Sequence, residues 1–234
     1  MLDHLFLDTV GALRASLEES LLERSQEDRL VYDLFSGDLV WETSVSLPGD
    51  GDPPRVNADL CLDWQTWSQA AWRSLAMGEE VEEMPEIGIE VVFRVQRLAS
   101  RPPLAKLLSV LPEESPEVGG DRLARSSPVV EEAPDEEGEV EPEVAVEVAY
   151  EGAYRLRAPS AQPGAGAGQD QPLGAWPGAW ALAGDGLSAR LGSRQLSQAT
   201  EATLGSLGAW VASTLVRLAD LPLQYLPPPE APDA

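Results

Sequence analysis

The sequence predicts an α+β fold: an antiparallel sheet of about five strands with amphipathic helices packed mainly on one face. Several short segments alternate apolar and polar side chains, which is the two-residue period of half-buried strands. Segments before and after them repeat apolar side chains every three or four residues, as amphipathic helices do. Turn sequences rich in Gly and Pro separate the strands, so helices and an antiparallel sheet are expected to form two layers.

An amphipathic helix is predicted from Leu2 to Arg24, because its leucines recur at helical spacing and its acids fall opposite them. The sequence SQEDR (25–29) is expected to break this pattern. Three strands follow, at 30–35, 38–47 and 55–63. The dipeptide Ser36-Gly37 suits a tight hairpin turn and PGDGDPP suits a second turn, so the three strands predict a meander.

Three of the seven tryptophans follow the third strand: Trp64, Trp67 and Trp72. At about 100° per residue they share one sector of a helix that Asp63 would cap. Burial of an aromatic side chain is worth roughly 2–3 kcal/mol, so the preferred interpretation is a helix laid across the apolar face of the meander. The alternative is an exposed aromatic recognition face, because Trp is enriched at binding hot spots.

The chain changes character after the next strand (87–98) and one short helix within RPPLAKLLSVLP. Blocks of like charge repel and stay extended, so the acidic stretch that follows predicts a disordered linker. The predicted organisation is an N-terminal α+β domain (1–112), the acidic linker (113–143), a strand that completes the sheet (144–159), a Gly/Ala/Pro-rich linker (160–192), and an amphipathic helix (193–220) with a Pro-rich tail to 234.

The charge balance limits the class of partner. Forty acidic residues face sixteen basic ones, for a formal net charge of −24. Such an excess repels phosphate backbones and anionic lipid, so it argues against direct nucleic-acid or membrane binding and favours a basic protein partner. The N-terminal segment lacks the pattern of a secretory signal, and the apolar run 202–216 is shorter than the ~20 residues of a membrane span, so a cytoplasmic location is expected.

No motif predicts a metal, a cofactor or a nucleophile. The chain has one cysteine and one histidine, which excludes a zinc site built from a Cys/His cluster. Cys61 has no basic neighbour in sequence and is expected to be structural, and His4 is expected to be a surface or capping residue. The sequence GDGD (49–52) lacks the later ligands of a calcium loop and is interpreted as a turn.

The candidate partner-binding residues are acids of the predicted linker and one ring of the last helix: Glu131, Glu132, Asp135, Glu136, Glu137 and Trp210. Beside Trp210, small residues lie four apart at Gly205-Ala209 and Gly208-Ala212. That spacing lets another helix approach closely, so a homo-oligomer through this helix is one alternative and packing within the domain is the other.

The leading functional hypothesis is a non-catalytic interaction factor: an adaptor, a chaperone-like protein or an inhibitor. A sharper variant is an acidic immunity protein or a mimic of a nucleic acid. The rival class is a hydrolase built on carboxylates, with Asp59 and Asp63 as the pair, Glu90 as a third acid, and a metal as an option. The order of elements and the acidity resemble those of the small acidic chaperones of type III secretion; this resemblance lies in element order, with no shared residue motif, and implies a chaperone-like role by analogy alone.

Overall fold

The computed structural model describes residues 2–21, 25–32, 37–47, 50, 53–76, 79–132, 143–156 and 204–227. The elements are α1 (Leu2–Ser20), β1 (Ser25–Tyr32), β2 (Leu39–Ser46), β3 (Val56–Trp64), α2 (Thr66–Ala76), β4 (Glu86–Leu98), α3 (Leu104–Leu108), β5 (Glu114–Val118), β6 (Asp121–Arg125), β7 (Val129–Glu132), β8 (Val144–Arg155) and a helix α4 (204–219). The protein is α+β, as predicted. No helix in the described ranges is long and apolar enough to cross a membrane.

The eight strands form one antiparallel sheet in the order β1-β2-β3-β4-β8-β6-β5, and β7 also pairs with β8. The predicted meander is present as β1, β2 and β3, with β4 next to it. The strand predicted at 144–159 is β8, and it pairs with β4 along most of its length. Residues far apart in sequence therefore share the centre of the sheet, and residues 1–112 do not form a sheet of their own.

The helices cover mainly one face of the sheet, which we call the covered face. Its side chains come from alternate positions of β2, β3, β4 and β8 and are buried. Trp210 of α4 packs edge-on against Phe93 and Tyr150, with ring centroids 5.4 and 5.0 Å away. Edge-to-face pairs of this kind add about 0.5–1.5 kcal/mol to the burial of their area. The core of the protein therefore lies between this face and the helices.

Helices α1 and α4 touch each other closely through small residues. A Cβ added at Gly208 would lie 2.8 Å from the Cβ of Ser16 and 3.2 Å from the carbonyl oxygen of Leu13. The Ser16 hydroxyl donates a hydrogen bond to the Gly205 carbonyl at 2.5 Å. The pair Gly208-Ala212 is buried, so that part of the small-residue pattern serves packing within the chain.

Helix α2 begins two residues later than the sequence pattern suggests. Trp64 is the last residue of β3, and the backbone N–H of Thr66 donates to the Asp38 carboxylate at 2.5 Å. Asp38, the residue before β2, therefore caps the helix in the role predicted for Asp63. The Trp64 indole N–H donates to the Ser68 hydroxyl at 3.1 Å, which ties the helix to the end of the sheet.

The prediction that the three tryptophans build the core is right for two rings, and the prediction that they share one face of a helix is wrong. Trp64 is fully buried and Trp72 is 1% exposed, but Trp67 is 41% exposed. Because Trp64 belongs to the strand, only Trp67 and Trp72 remain on α2. They lie five residues apart, about 140° around a helix, so they point in different directions.

The predicted disordered linker at 113–143 is wrong for 114–132, which contains β5, β6 and β7. Gly119 and Gly120 have φ angles of 63° and 93°, as a two-residue turn between β5 and β6 requires. Val118 and Leu123 are buried. The average composition of the segment is acidic, but its alternation and its Gly-Gly turn specify a hairpin.

Other boundaries also differ from the predictions. Residues 25–29, expected to break the pattern, start β1, because pairing with β2 fixes them in the sheet. The last helix was predicted from residue 193, and the described part begins at 204. Residues 133–142 and the second predicted linker (160–192) lie outside the described residues.

A β-bulge near the end of β4 anchors the segment that follows α4. Arg97 has a φ of 59°, uncommon for a residue with a side chain, and it lies where the pairing of β4 with β8 shifts. Its buried guanidinium donates to the carbonyl oxygens of Pro53 and Leu226, each at 3.3 Å. The Leu226 N–H donates back to the Arg97 carbonyl at 2.7 Å.

Candidate functional site: an acidic open face of the sheet

The face of the sheet opposite the helices is open to solvent. Along β2, β3, β4 and β8, the residues between the buried ones are exposed or half-buried, with Asn57 as a buried exception. We call this surface the open face. Its central acids are Glu42, Asp59, Asp63, Glu90 and Glu151.

Three of these acids form a row across β2, β3, β4 and β8: Glu42, Glu90 and Glu151. Cys61 is the register partner of Glu42 on one side and of Glu90 on the other, and Glu90 is directly opposite Glu151. At the ~4.8 Å spacing of neighbouring strands, the backbones of Glu42 and Glu90 lie about 10 Å apart. Like charges directly opposite each other destabilise a sheet, so the Glu90–Glu151 pair costs stability in the free protein, and Glu42 adds to the negative charge one strand beyond Cys61.

Few basic groups offset this charge. At the ends of the open face Arg94 pairs with Glu147 at 2.5 Å, and Arg155 pairs with Asp121 at 2.8 Å. Among the described side chains, no arginine or lysine forms an ion pair with the row of three glutamates. Arg29 of β1 is the register partner of Glu42, and its side chain lies outside that description.

A shallow depression of about 420 Å³ lies in the middle of the open face. It is lined by Glu42, Thr43, Ser44, Asp59, Leu60, Cys61, Glu90 and Val92. Acids stand on β2, β3 and β4 around the half-buried side chains of Cys61 and Val92, which suits the aliphatic stem and charged head of a lysine or arginine side chain.

Asp59 is held in place from one end of the open face. The side-chain amide of Asn57 donates to its carboxylate at 2.9 Å. Asn57 is buried, and its carbonyl oxygen lies 3.4 Å from the side-chain amide of Gln96, which also donates to the Pro54 carbonyl at 2.6 Å. The Asp59 carboxylate is therefore oriented before any ligand arrives.

At the other end, hydrogen bonds connect Asp63 to the exposed Trp67. The Trp67 indole N–H donates to the side-chain oxygen of Gln65 at 2.8 Å, and the Gln65 amide donates to Oδ2 of Asp63 at 3.2 Å. Oδ1 of Asp63 has no hydrogen-bond partner among the described residues. The ring of Trp67 thus has a fixed orientation at the margin of the acidic surface.

Burial and the negative charge of the open face change the pKa of the Cys61 thiol. Burial, together with the charges of Glu42, Asp63 and Glu90, raises the pKa of its thiol to about 11. The thiol is protonated at neutral pH and is a poor nucleophile, because the thiolate is the reactive form. This agrees with the expectation of a structural role.

The carboxylates of the hydrolase hypothesis are spread over this surface. Asp59 and Asp63 are four residues apart on one strand, about 13 Å along it, beyond the 5–9.5 Å range of paired catalytic carboxyl groups. Glu90 lies diagonal to each of them, at a typical separation of about 7–8 Å. Within the described ranges no three His, Cys, Asp or Glu side chains are placed to hold a metal ion.

The partner-binding residues suggested by the sequence are dispersed. Glu131 and Glu132 are exposed on β7, where Glu132 pairs with Arg101. Asp135, Glu136 and Glu137 lie outside the described residues, as does the side chain of His4. The half-buried ring of Trp210 packs in the core, and binding of a partner by any of these residues stays a prediction.

A second concave surface runs between α1 and α4. This groove of about 730 Å³ is lined mainly by small residues, among them Gly11, Ala15, Gly205 and Ala209. The homo-oligomer predicted through the last helix stays a prediction.

Sequence reasoning missed Glu42, Glu151 and Trp67 as members of one surface. The alternation of each strand did place the two glutamates on a polar face. Their meeting across the sheet depends on the pairing of β4 with β8, which local pattern does not reveal. The five-residue spacing of Trp67 and Trp72 was the signal that one of them faces outward.

No protein-family model, no curated protein and no solved structure matches this chain. The resemblance to type III secretion chaperones therefore gains no support from comparison.

Proposed function

We propose that the protein is a non-catalytic interaction factor, an adaptor, chaperone-like protein or inhibitor, which binds a basic protein partner through the open face. The observation that carries this proposal is the row of Glu42, Glu90 and Glu151, without an ion-pairing base among the described side chains.

The row is unfavourable for the fold alone, chiefly through the opposed pair Glu90 and Glu151. Directly opposed like charges cost stability, and neutral polar residues at the same exposed positions would not. Lysine or arginine side chains of a partner would remove the repulsion on binding and would gain charge-assisted hydrogen bonds. The net charge of −24 would also speed the encounter with a basic partner.

An interaction surface fits the site better than a hydrolase does. A general acid needs surroundings that shield its carboxyl group from water, and Glu90 is exposed on an open sheet. The depression is a shallow part of a wide surface, and its thiol is held protonated. A partner that itself binds nucleic acid would fit the mimicry variant of the proposal.

The test is a pull-down from the native cell with three tagged baits. These are the wild type, an open-face variant (Glu42→Gln, Glu90→Gln, Glu151→Gln) and a loop variant (Glu79→Gln, Glu82→Gln, Glu83→Gln). Both variants lose three charges, and all six positions are exposed. Deletion of 113–143 would be a poor test, because it removes β5, β6 and β7 from the sheet.

We expect a near-stoichiometric basic protein with the wild type and the loop variant, identified by mass spectrometry and lost with the open-face variant. Equal recovery with all three baits would contradict the assignment of the surface. No specific partner with any bait would contradict the proposed function.

A further inference from the structure

We infer that Trp67 is an aromatic anchor for an arginine side chain, at the end of the open face where the partner's basic segment docks. This inference rests on the proposed function and adds the chemistry of one contact: a guanidinium over the indole, beside the carboxylate of Asp63.

Trp67 is exposed, whereas the described tryptophans Trp41, Trp64 and Trp72 are buried. Trp72 and Ser68 on α2 are buried, while 41% of Trp67 remains in contact with water. A large aromatic side chain gains about 2–3 kcal/mol from burial, and this one leaves much of that gain unused in the free protein. Trp is the residue most typical of the few positions that dominate binding energy at interfaces.

The ring is also preorganised. Its N–H donates to Gln65, whose amide donates to Asp63, so two exposed hydrogen bonds restrain the indole before a ligand arrives. Less ordering on binding leaves more of the interaction energy for affinity. Met84, the other large apolar side chain exposed near this stretch of sequence, has no N–H or O–H with which to donate such a hydrogen bond.

The charge around Trp67 selects the occupant. The half-buried carboxylate of Asp63 is linked to the indole through Gln65, and the acids of the open face continue from it along β3 to Asp59. A cation over an indole gains about 0.5–2 kcal/mol, and arginine does this more often than lysine because its planar guanidinium stacks on the ring. The geometry therefore fits an arginine-bearing segment, whereas a nucleic acid or a second copy of this acidic chain would be repelled.

The experiment uses two synthetic probes, nona-arginine and nona-lysine, and calorimetry at physiological salt with the full chain. The variants are Trp67→Ala, Trp67→Phe, the control Met84→Ala, and the open-face variant defined above. Circular dichroism would show that each variant keeps the fold, which the exposure of Trp67 leads us to expect.

We expect Trp67→Ala to weaken nona-arginine binding by about 2- to 30-fold, the range of a cation–π contact, and nona-lysine binding by less. Trp67→Phe should keep part of the affinity, because the ring face remains. Met84→Ala should change neither. The open-face variant should weaken both peptides.

Two outcomes separate this inference from the proposed function. If Trp67→Ala matches Met84→Ala while the open-face variant weakens both peptides, the anchor is wrong and the acidic surface stands. If the open-face variant binds both peptides as the wild type does, the proposed function and the anchor both fail. A dimer seen by light scattering for the wild type and lost in Trp67→Ala would show a second copy on this surface, and would overturn the inference.

Discussion

The two faces of the sheet use the same strands in opposite ways. On β4, Phe93 is buried among the rings of Tyr150 and Trp210, while its neighbours Val92 and Arg94 are half-buried on the open face. The covered face has apolar contacts that hold α4 to the sheet. The open face has directly opposed acids that weaken pairing. The stabilising contacts and the proposed recognition surface are thus one residue step apart along each strand, and substitutions on the two faces should have different consequences.

The largest expected effect comes from the covered face. Phe93→Ala should lower the free energy of unfolding by about 3–5 kcal/mol, because it removes the ring that both Tyr150 and Trp210 contact and leaves a cavity. The matched control is Val92→Ala on the open face, expected to cost less than about 1 kcal/mol. Urea unfolding measures both, and equal losses would break the comparison of the two faces.

The next effect compares two glycines of α4. Gly208→Ala should destabilise by about 1–3 kcal/mol, because its Cβ would lie 2.8 Å from Ser16 and force α1 and α4 apart. A Cβ at Gly205 meets no described atom within 4 Å, so Gly205→Ala should be neutral or should stabilise by up to about 1 kcal/mol through helix propensity. Thermal unfolding of both variants checks this, and a loss at Gly205 would show that the groove needs its glycine.

A smaller effect concerns the thiol of the open face. The pKa of Cys61 is raised to about 11, so the rate of alkylation by iodoacetamide should rise with pH up to that value. Glu90→Gln should lower this pKa but leave it above the ordinary value, because burial is the largest cause. Glu83→Gln, on the loop, is the control. An ordinary thiol pKa in the wild type would contradict the burial and charge described for this surface.

The raised pKa of Cys61 also makes the free energy of unfolding depend on pH. A protonated thiol is favoured in the folded state, so its contribution is complete below the ordinary thiol pKa of 9.0 and is lost as pH rises towards about 11. Cys61→Ala should remove this part of the alkaline destabilisation. Burial also raises the pKa of Tyr150, to about 12, and that of Tyr225, so part of the alkaline loss should remain in the variant.

The sequence predicted what depends on local periodicity. The alternation in β2, β3 and β4 identified the strands and the sides of their side chains, and the apolar spacing identified α1. Prediction from local periodicity failed where pairing between distant strands determines the structure. Residues 25–29 have no apolar alternation but are held by β2, and residues 114–132 are acidic on average but fold as strands through a Gly-Gly turn and pairing with β8.

The candidate site was predictable in parts. The parity of each strand places Asp59, Asp63 and Glu90 on one polar face, as the hydrolase hypothesis assumed. The order of the strands in the sheet brings these acids beside Glu42 and Glu151. The exposure of Trp67 depends on the residue at which α2 begins. Asp38 sets that start from 28 residues away in sequence, a distance at which local pattern carries no information.

The most direct test of the account is urea unfolding of the open-face variant (Glu42→Gln, Glu90→Gln, Glu151→Gln) beside the wild type and the loop variant, at low and high salt. The account predicts that the open-face variant is more stable than the wild type by about 0.2–1 kcal/mol at low salt, with a smaller gain at high salt, because salt screens the repulsion that the substitutions remove. The loop variant should gain less. A loss of stability in the open-face variant would mean that these acids support the sheet, and would contradict the claim that they are kept for a partner.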